Sequence, residues 1–190
     1  MDKPRDCARP VAMIGNRRQF AASSIRTLVG VQPQAAEPAL QRLPVPLRRH
    51  VYRAAYQGLR VWWFLCRPEV TGVKCVLTAG DRVLLVRHTY GPRGWDLPGG
   101  TMKSGEDPSA TATREIEEEL GVQIEDWRTL GQIVHTLDHR RDRLHCFAAE
   151  LDNRHVDIDP GELQVAQWFP RDQLPGWLNY YVRPILDRAE

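Results

Sequence analysis

Three glutamates in the second half of the chain have the spacing of a metal-binding face. Glu115, Glu118 and Glu119 stand at positions i, i+3 and i+4, so a helix brings their carboxylates onto one side. Like charges at this spacing repel each other and destabilise a helix. A hard divalent cation with oxygen ligands, such as Mg²⁺, removes that conflict. The spacing therefore predicts a divalent metal site on a helix.

The helix itself is predicted over residues 107–120. Asp107 can cap its N-terminus, Pro108 suits the first helical position, and Gly121 stands where a terminating glycine is expected. Glu117 points away from the other three glutamates. The helix is therefore expected to present one acidic side and to end at residue 120.

Residues 100–122 resemble the Nudix box, whose pattern is G-x5-E-x7-R-E-U-x-E-E-x-G-U, where U is an aliphatic residue. Every fixed position is filled, by Gly100, Glu106, Arg114, Glu115, Ile116, Glu118, Glu119, Gly121 and Val122. The resemblance implies a Nudix hydrolase of the MutT-like type. It also implies a mixed β-sheet sandwiched between helices, in an α/β/α arrangement.

The resemblance assigns roles to single residues of the box. It implies that the backbone carbonyl of Gly100 joins the three glutamates at the metal, which is Mg²⁺ with Mn²⁺ as a substitute. It also implies that Glu106 and Arg114 pair with each other and hold the loop and the helix in shape. These two residues are therefore expected to support the site rather than to react.

The general base is left open, because Nudix enzymes take it either from the box or from a distant segment. Glu118 and Glu119 are the candidates within the box. Glu162, directly before the last predicted strand, is the candidate outside it, and its alternative is a solvent-facing strand residue. Asp138 and His139 are weaker candidates, because a charged hairpin loop is usually only solvated.

Basic residues near the box are candidates for binding substrate phosphates. They are Arg87, Arg93, Lys103 and, in a predicted charged loop over residues 138–143, Arg140. Each alone equally suits a plain surface position, whereas together they predict a phosphate-binding wall.

The resemblance implies hydrolysis of a phosphoanhydride bond in a nucleoside triphosphate or in a nucleoside diphosphate linked to X, such as a nucleotide sugar. In this family, ADP-ribose subgroups carry a proline about 15 residues beyond the box, near Leu137 here, and that signature is absent. The alternative function is a non-catalytic module that binds or senses a nucleotide on the same fold.

Strand-like runs flank the box on both sides. Residues 71–78 and 82–88 predict a hairpin, residues 122–137 and 144–151 two further strands, residues 162–169 a final strand, and residues 177–188 a terminal helix. Strands, one helix, strands and a last helix predict an α+β domain over residues 69–190.

The chain before residue 69 differs in charge from the rest. Residues 1–68 hold 12 Lys and Arg against 3 Asp and Glu, whereas residues 69–190 hold 14 against 21. Residues 1–45, rich in Pro, Ala, Gln and Arg, predict a disordered tail. Residues 46–68 predict a basic amphipathic helix that packs on the domain or on a second subunit in a homodimer.

Two further alternatives concern partners and location. Residues 46–64 could instead lie on an anionic membrane surface, and no specific nucleic acid is expected. The four cysteines are scattered without metal-ligand spacing or a secreted disulfide framework, which predicts a cytoplasmic protein.

Overall fold

A five-stranded mixed sheet forms the centre of the fold. Its strands are β1 (Glu69–Ala79), β2 (Arg82–His88), β3 (Arg128–Leu137), β4 (Arg140–Glu150) and β5 (Leu163–Pro170), and the helices are α1 (Val45–Cys66), α2 (Pro108–Leu120) and α3 (Val182–Leu186). The order in the sheet is β3-β4-β1-β2-β5. Strands β1 and β4 run parallel, and the other neighbours run antiparallel. The computed structural model describes residues 43–66, 69–137 and 140–190.

Both faces of the sheet are covered, because alternate residues of a strand point to opposite sides. On one face, Val73 and Leu77 of β1 pack in a cluster with Ile116 of α2. On the other face, Val76 of the same strand packs in a cluster with Ile185 of α3. All five side chains are fully buried. This arrangement confirms the predicted mixed sheet between helices.

Helix α2 begins and ends at the predicted signals. An Asp107 carboxylate oxygen accepts hydrogen bonds from the backbone N–H groups of Ser109 and Ala110, and Pro108 is the first helical residue. Gly121 adopts φ 66°, a left-handed conformation that costs glycine little, and its N–H bonds to the Glu117 carbonyl oxygen. The acidic side of α2 therefore has a fixed position over the sheet.

Helix α1 packs against the domain along one side, as its amphipathic pattern predicts. Tyr52, Leu59 and Trp63 are buried and form a cluster with the partly buried Tyr90 of the loop after β2. At its C-terminal end, apolar side chains remain exposed, among them Val61, Trp62, Phe64 and Leu65. Contact of this helix with a second subunit, or with a membrane surface, stays a prediction. Among the described helices, none has the length and apolar content needed to cross a bilayer.

The prediction of a loop over residues 138–143 is wrong, because β4 begins at Arg140. Residues of β4 pair with β1 on one side and with β3 on the other, so backbone hydrogen bonds extend the strand through its charged start. The Arg143 side chain also forms an ion pair with Glu69 of β1, at 2.8 Å. Asp138 and His139 lie outside the described residues, as does the predicted tail up to residue 42.

Two other predicted boundaries are also corrected. Strand β3 begins at Arg128 rather than at residue 122. Helix α3 covers only Val182–Leu186, whereas residues 177–188 were predicted to be helical. Instead, the Trp95 N–H donates to the Trp177 carbonyl oxygen, and the Asn179 N–H donates to the Trp95 carbonyl oxygen. These two hydrogen bonds hold the segment against the loop before α2.

A buried ion pair joins β1, the loop before α2 and the segment before α3. Lys74 Nζ donates to Asp96 Oδ2 at 3.0 Å and to the Leu97 carbonyl oxygen at 2.9 Å. The Tyr181 hydroxyl donates to the same Asp96 oxygen at 2.6 Å. Burial is the largest single effect and opposes ionisation of Asp96. The Lys74 charge, followed by smaller contributions that include the hydrogen bonds from Tyr181 and Lys74, favours the carboxylate, and the net result is a lowered pKa of Asp96. Three segments distant in sequence thus depend on one carboxylate.

Replacing Asp96 by Asn should lower the free energy of unfolding by about 3–5 kcal/mol, because the buried Lys74 ammonium loses its counter-charge. Urea denaturation at pH 7 measures this loss. Asp81→Asn is the control, since the Asp81–Arg154 pair is exposed, and should cost at most about 1 kcal/mol.

The same variant should show a dependence on pH. The folded pKa of Asp96 lies below its unfolded value, so its stabilisation is present above the unfolded pKa and is lost as pH falls through the folded pKa. The difference in the free energy of unfolding between the wild type and Asp96→Asn should therefore become smaller below about pH 4. A difference that is constant down to the acid limit of folding contradicts this account.

Candidate active site

The acidic side of α2 faces β1 and the loop that precedes the helix. The side chains of Glu115 and Glu119 are 0% and 1% exposed, and that of Glu118 is 10% exposed. Glu119 Oε2 accepts the Gly99 N–H at 3.0 Å. Glu119 Oε1 has no hydrogen-bond partner within the described part of the chain. The helix therefore holds two buried carboxylates and a third near the surface.

Arg114 forms hydrogen bonds with both the loop and the helix of the box. Its Nε and Nη2 donate to the two carboxylate oxygens of Glu106 at 2.8 and 2.9 Å, and its Nη1 donates to Glu115 Oε1 at 2.7 Å. Burial is the largest single effect and opposes ionisation of Glu106. The hydrogen bonds from Arg114, the Lys103 N–H and the Arg114 charge favour the carboxylate, and the net result lowers the pKa of Glu106 to about 2. The loop and the helix are thus joined as the resemblance implies.

Gly100 lies directly against the acidic side. A Cβ at this position would overlap the Glu115 carboxylate, so only glycine lets the backbone come this close. The Gly100 carbonyl oxygen accepts a hydrogen bond from the Val73 N–H at 2.8 Å. A contact between this carbonyl and a metal ion stays a prediction.

Glu162 is buried, so its interpretation as a solvent-facing residue is wrong. It precedes β5, and its carbonyl oxygen accepts the Thr89 N–H at 2.8 Å. Its Oε1 has no hydrogen-bond partner among the described residues. Burial, and next the charge of Glu119, raise the pKa of Glu162 well above its usual range. The fold therefore brings this residue into the electrostatic environment of the α2 glutamates.

The chemistry of the carboxylates fits a hard divalent cation. Burial, followed by the Glu115 charge, raises the pKa of Glu119 to about 8, so negative charge is unfavourable here without a counter-ion. All the side-chain donors are oxygens, which suits Mg²⁺. In residues 43–66, 69–137 and 140–190, however, no three His, Cys, Asp or Glu side chains could hold a metal ion as they are placed. The fit rests on donor chemistry and on the unpaired oxygens of Glu119 and Glu162.

A cleft of about 720 Å³ lies between α1 and the end of β2 with its following loop. Its lining includes four arginines and two tyrosines, namely Arg53, Arg60, Arg87, Arg93, Tyr56 and Tyr90. His88 also lines the cleft, and its Nδ1 lies 3.9 Å from Glu119 Oε1. Burial lowers the pKa of His88 to about 4, so the ring is neutral at physiological pH. His88 therefore links the arginine-lined cleft to the acidic side of α2.

The structure brings together only part of the predicted phosphate-binding wall. Arg87 and Arg93 line the cleft, whereas exposed Lys103 is not among its lining residues and the side chain of Arg140 is outside the described part. Arg53 and Arg60 belong to the predicted basic helix, now α1, but they were not predicted to bind phosphate. Their signal was the spacing of seven residues, which places both on one side of a helix.

Comparison with known proteins gives a consistent result. The sequence model of the NUDIX domain matches residues 68–188. The NAD-capped RNA hydrolase NudC of Escherichia coli O157:H7 is 26% identical over 185 residues, which covers 87% of this chain and 70% of that protein. The ADP-ribose pyrophosphatase of Mycobacterium tuberculosis strain H37Rv is 51% identical over 45 residues, 23% of this chain and 22% of that protein.

Solved structures show the same fold. A MutT NUDIX hydrolase from Burkholderia pseudomallei superimposes with a TM-score of 0.60 at 25% identity, over 64% of this chain and 98% of that one. The NUDIX domain of Shewanella oneidensis NrtR, in complex with ADP ribose, gives a TM-score of 0.55 at 22% identity, over 64% and 86% of the two chains. The second likeness concerns the fold alone.

Replacing Gly100 by Ala should destabilise the protein by about 1–3 kcal/mol, because the added methyl group displaces the buried Glu115 carboxylate. Thermal and urea denaturation measure the effect. Gly176→Ala is the matched control, since a Cβ there meets no atom within 4 Å. Equal stability of the two variants would show that the Gly100 backbone does not constrain Glu115.

Proposed function

Because the chain belongs to the Nudix family and is a Nudix pyrophosphohydrolase, we propose that it hydrolyses the phosphoanhydride bond of a nucleoside diphosphate linked to X, with Mg²⁺ as cofactor. The observation that carries this proposal is the position of His88, which lines the arginine-rich cleft and lies 3.9 Å from Glu119 on the buried acidic side of α2. A diphosphate needs both surfaces, one for its metal and one for its own charge.

The substrate class is supported by two kinds of observation. Two relatives are named for NAD-capped RNA and for ADP-ribose, both of which contain a nucleoside diphosphate joined to a further group. The cleft offers the aromatic rings of Tyr56 and Tyr90, with centroids 6.1 Å apart, beside its arginines. Aromatic rings contact a base or a nicotinamide ring, and guanidinium groups bind phosphate oxygens. Nucleoside triphosphates are the second class to test.

In this proposal, the glutamates of the box and the arginines of the cleft have separate roles. Glu115, Glu118 and Glu119 would hold Mg²⁺, with Mn²⁺ as a substitute. The chemistry supplied by the bound ion is neutralisation of phosphate charge and activation of a water molecule. Arg87 and Arg93 orient the phosphates.

Glu162 is our candidate for the general base, with Glu118 and Glu119 as the alternatives. A cation bound beside these carboxylates would offset the burial that raises the pKa of Glu162 and would favour the ionised form that accepts a proton. In the reaction, the oxygen of a water molecule forms a bond to one phosphorus. The bond from that phosphorus to the bridging oxygen breaks, and the carboxylate accepts the proton of the water.

The first test is a panel of nucleoside diphosphates linked to X and of nucleoside triphosphates, incubated with Mg²⁺, with products identified by mass spectrometry. Glu118→Gln and Glu119→Gln should lower kcat/KM on the best substrate by about 10²-fold or more, and EDTA should abolish turnover. Glu117→Gln is the matched control on the same helix, because Glu117 bonds outward to Gln123, and it should retain wild-type activity. Binding without turnover across the panel would favour the non-catalytic alternative.

The second test separates the candidates for the base. Glu162→Gln keeps the size of the side chain, so it should lower kcat by about 10²–10⁴-fold if Glu162 takes the proton. KM should change little, because no substrate contact is lost. A Glu162→Gln enzyme with wild-type kcat excludes this residue and leaves the base within the box.

A further inference from the structure

Helix α1 forms one wall of the cleft. Arg53, Tyr56 and Arg60 stand at positions i, i+3 and i+7, so they share one side of the helix, and all three line the cleft. The facing wall contains Arg87 and Arg93, on β2 and the loop after it. Helix α1 precedes residues 68–188, which match the NUDIX domain. One wall therefore comes from a segment outside the family match.

Contacts at both ends of α1 fix its orientation. Near its start, Arg48 Nη2 donates to Asp159 Oδ1 at 2.9 Å, and both side chains are only 10% exposed. In the middle, Arg53 Nε donates to the Thr89 carbonyl oxygen at 3.1 Å. Near its end, Trp63 is fully buried. The side chains that α1 presents to the cleft are therefore held in place, which reduces the entropy lost when a ligand binds.

The charge of the cleft is of one sign. Among the described residues that line it, four are arginines and none is Asp or Glu. Thr89 and Gln164 add neutral polar groups. Guanidinium groups bind phosphate through paired, charge-assisted hydrogen bonds. An anion can thus bind here without the metal that the neighbouring acidic side requires.

We propose that α1 is part of the substrate-binding site, and that Arg53 and Arg60 bind a phosphate group of the substrate beside the acidic side of α2. The identity of the substrate rests on the proposed function, whereas the phosphate site on α1 does not require turnover. Arg53 and Arg60 act on binding and not on bond cleavage. Their loss therefore raises KM and leaves kcat close to that of the wild type.

The experiment compares Arg53→Gln/Arg60→Gln with Arg60→Gln and with Arg171→Gln. Arg60→Gln alone leaves the hydrogen bond between Arg53 and Thr89 intact. Arg171 is an exposed arginine at the far end of β5, since Pro170 pairs with Arg82 and Leu163 with His88. Circular dichroism and thermal denaturation check the fold of each variant.

Two measurements are made on each protein. Isothermal titration calorimetry with inorganic pyrophosphate in EDTA reports binding without metal or turnover. Steady-state kinetics with the best substrate of the panel reports KM and kcat. For Arg60→Gln we expect pyrophosphate affinity to fall about tenfold and KM to rise about tenfold, with a larger effect in the double variant. Arg171→Gln should match the wild type in both.

The outcomes separate the two proposals. Unchanged pyrophosphate affinity and KM in the double variant overturn the role of α1 and leave the hydrolase assignment intact. Equal losses in Arg171→Gln, or no pyrophosphate binding to the wild type, also overturn it. If the substrate panel gives no turnover, the calorimetry still decides, because a loss of affinity confined to the α1 variants supports the site on its own.

Discussion

Burial of like-charged carboxylates beside the central sheet is the constraint on which the site depends. Glu115 and Glu119 lie one helical turn apart with almost no exposure. Arg114 satisfies Glu115, and the Gly99 N–H satisfies one oxygen of Glu119. Glu119 Oε1 has no hydrogen-bond partner among the described residues, and burying a carboxylate without compensation is costly. The stability of the apolar clusters on both faces of the sheet allows the helix to keep this arrangement.

The local features of the acidic helix could be predicted from the sequence, because they depend on neighbouring residues. The cap at Asp107 and the stop at Gly121 follow from short spacings, whereas the pair of Glu106 with Arg114 was implied by the resemblance of the box. The mixed sheet between helices followed from the resemblance of the box. The extension of β4 to Arg140 could not be read in this way, since its charged residues are held by backbone pairing with two other strands.

The cleft was harder to predict, because its walls come from distant parts of the chain. The spacing of Arg53 and Arg60 places them on one side of a helix, but it does not say what that side faces. The contacts of Arg48 with Asp159, of Arg53 with Thr89 and of Trp63 with its cluster turn this side toward β2. Glu162, which is buried, follows a loop that α1 contacts through Arg48 and Asp159. Long-range packing, rather than propensity, determined these positions.

The parallel pairing of β1 with β4 has a consequence for how the chain folds. Glu69 lies opposite Arg141, and Thr78 opposite Glu150, so every contact of this ladder spans 72 residues. The hairpin of β1 and β2 closes through a turn of two residues and can form locally. Until β4 arrives, the other edge of β1 is an apolar strand with unpaired backbone groups, which is a template for association between chains. Formation of this ladder is therefore expected to limit the folding rate, and aggregation competes with it.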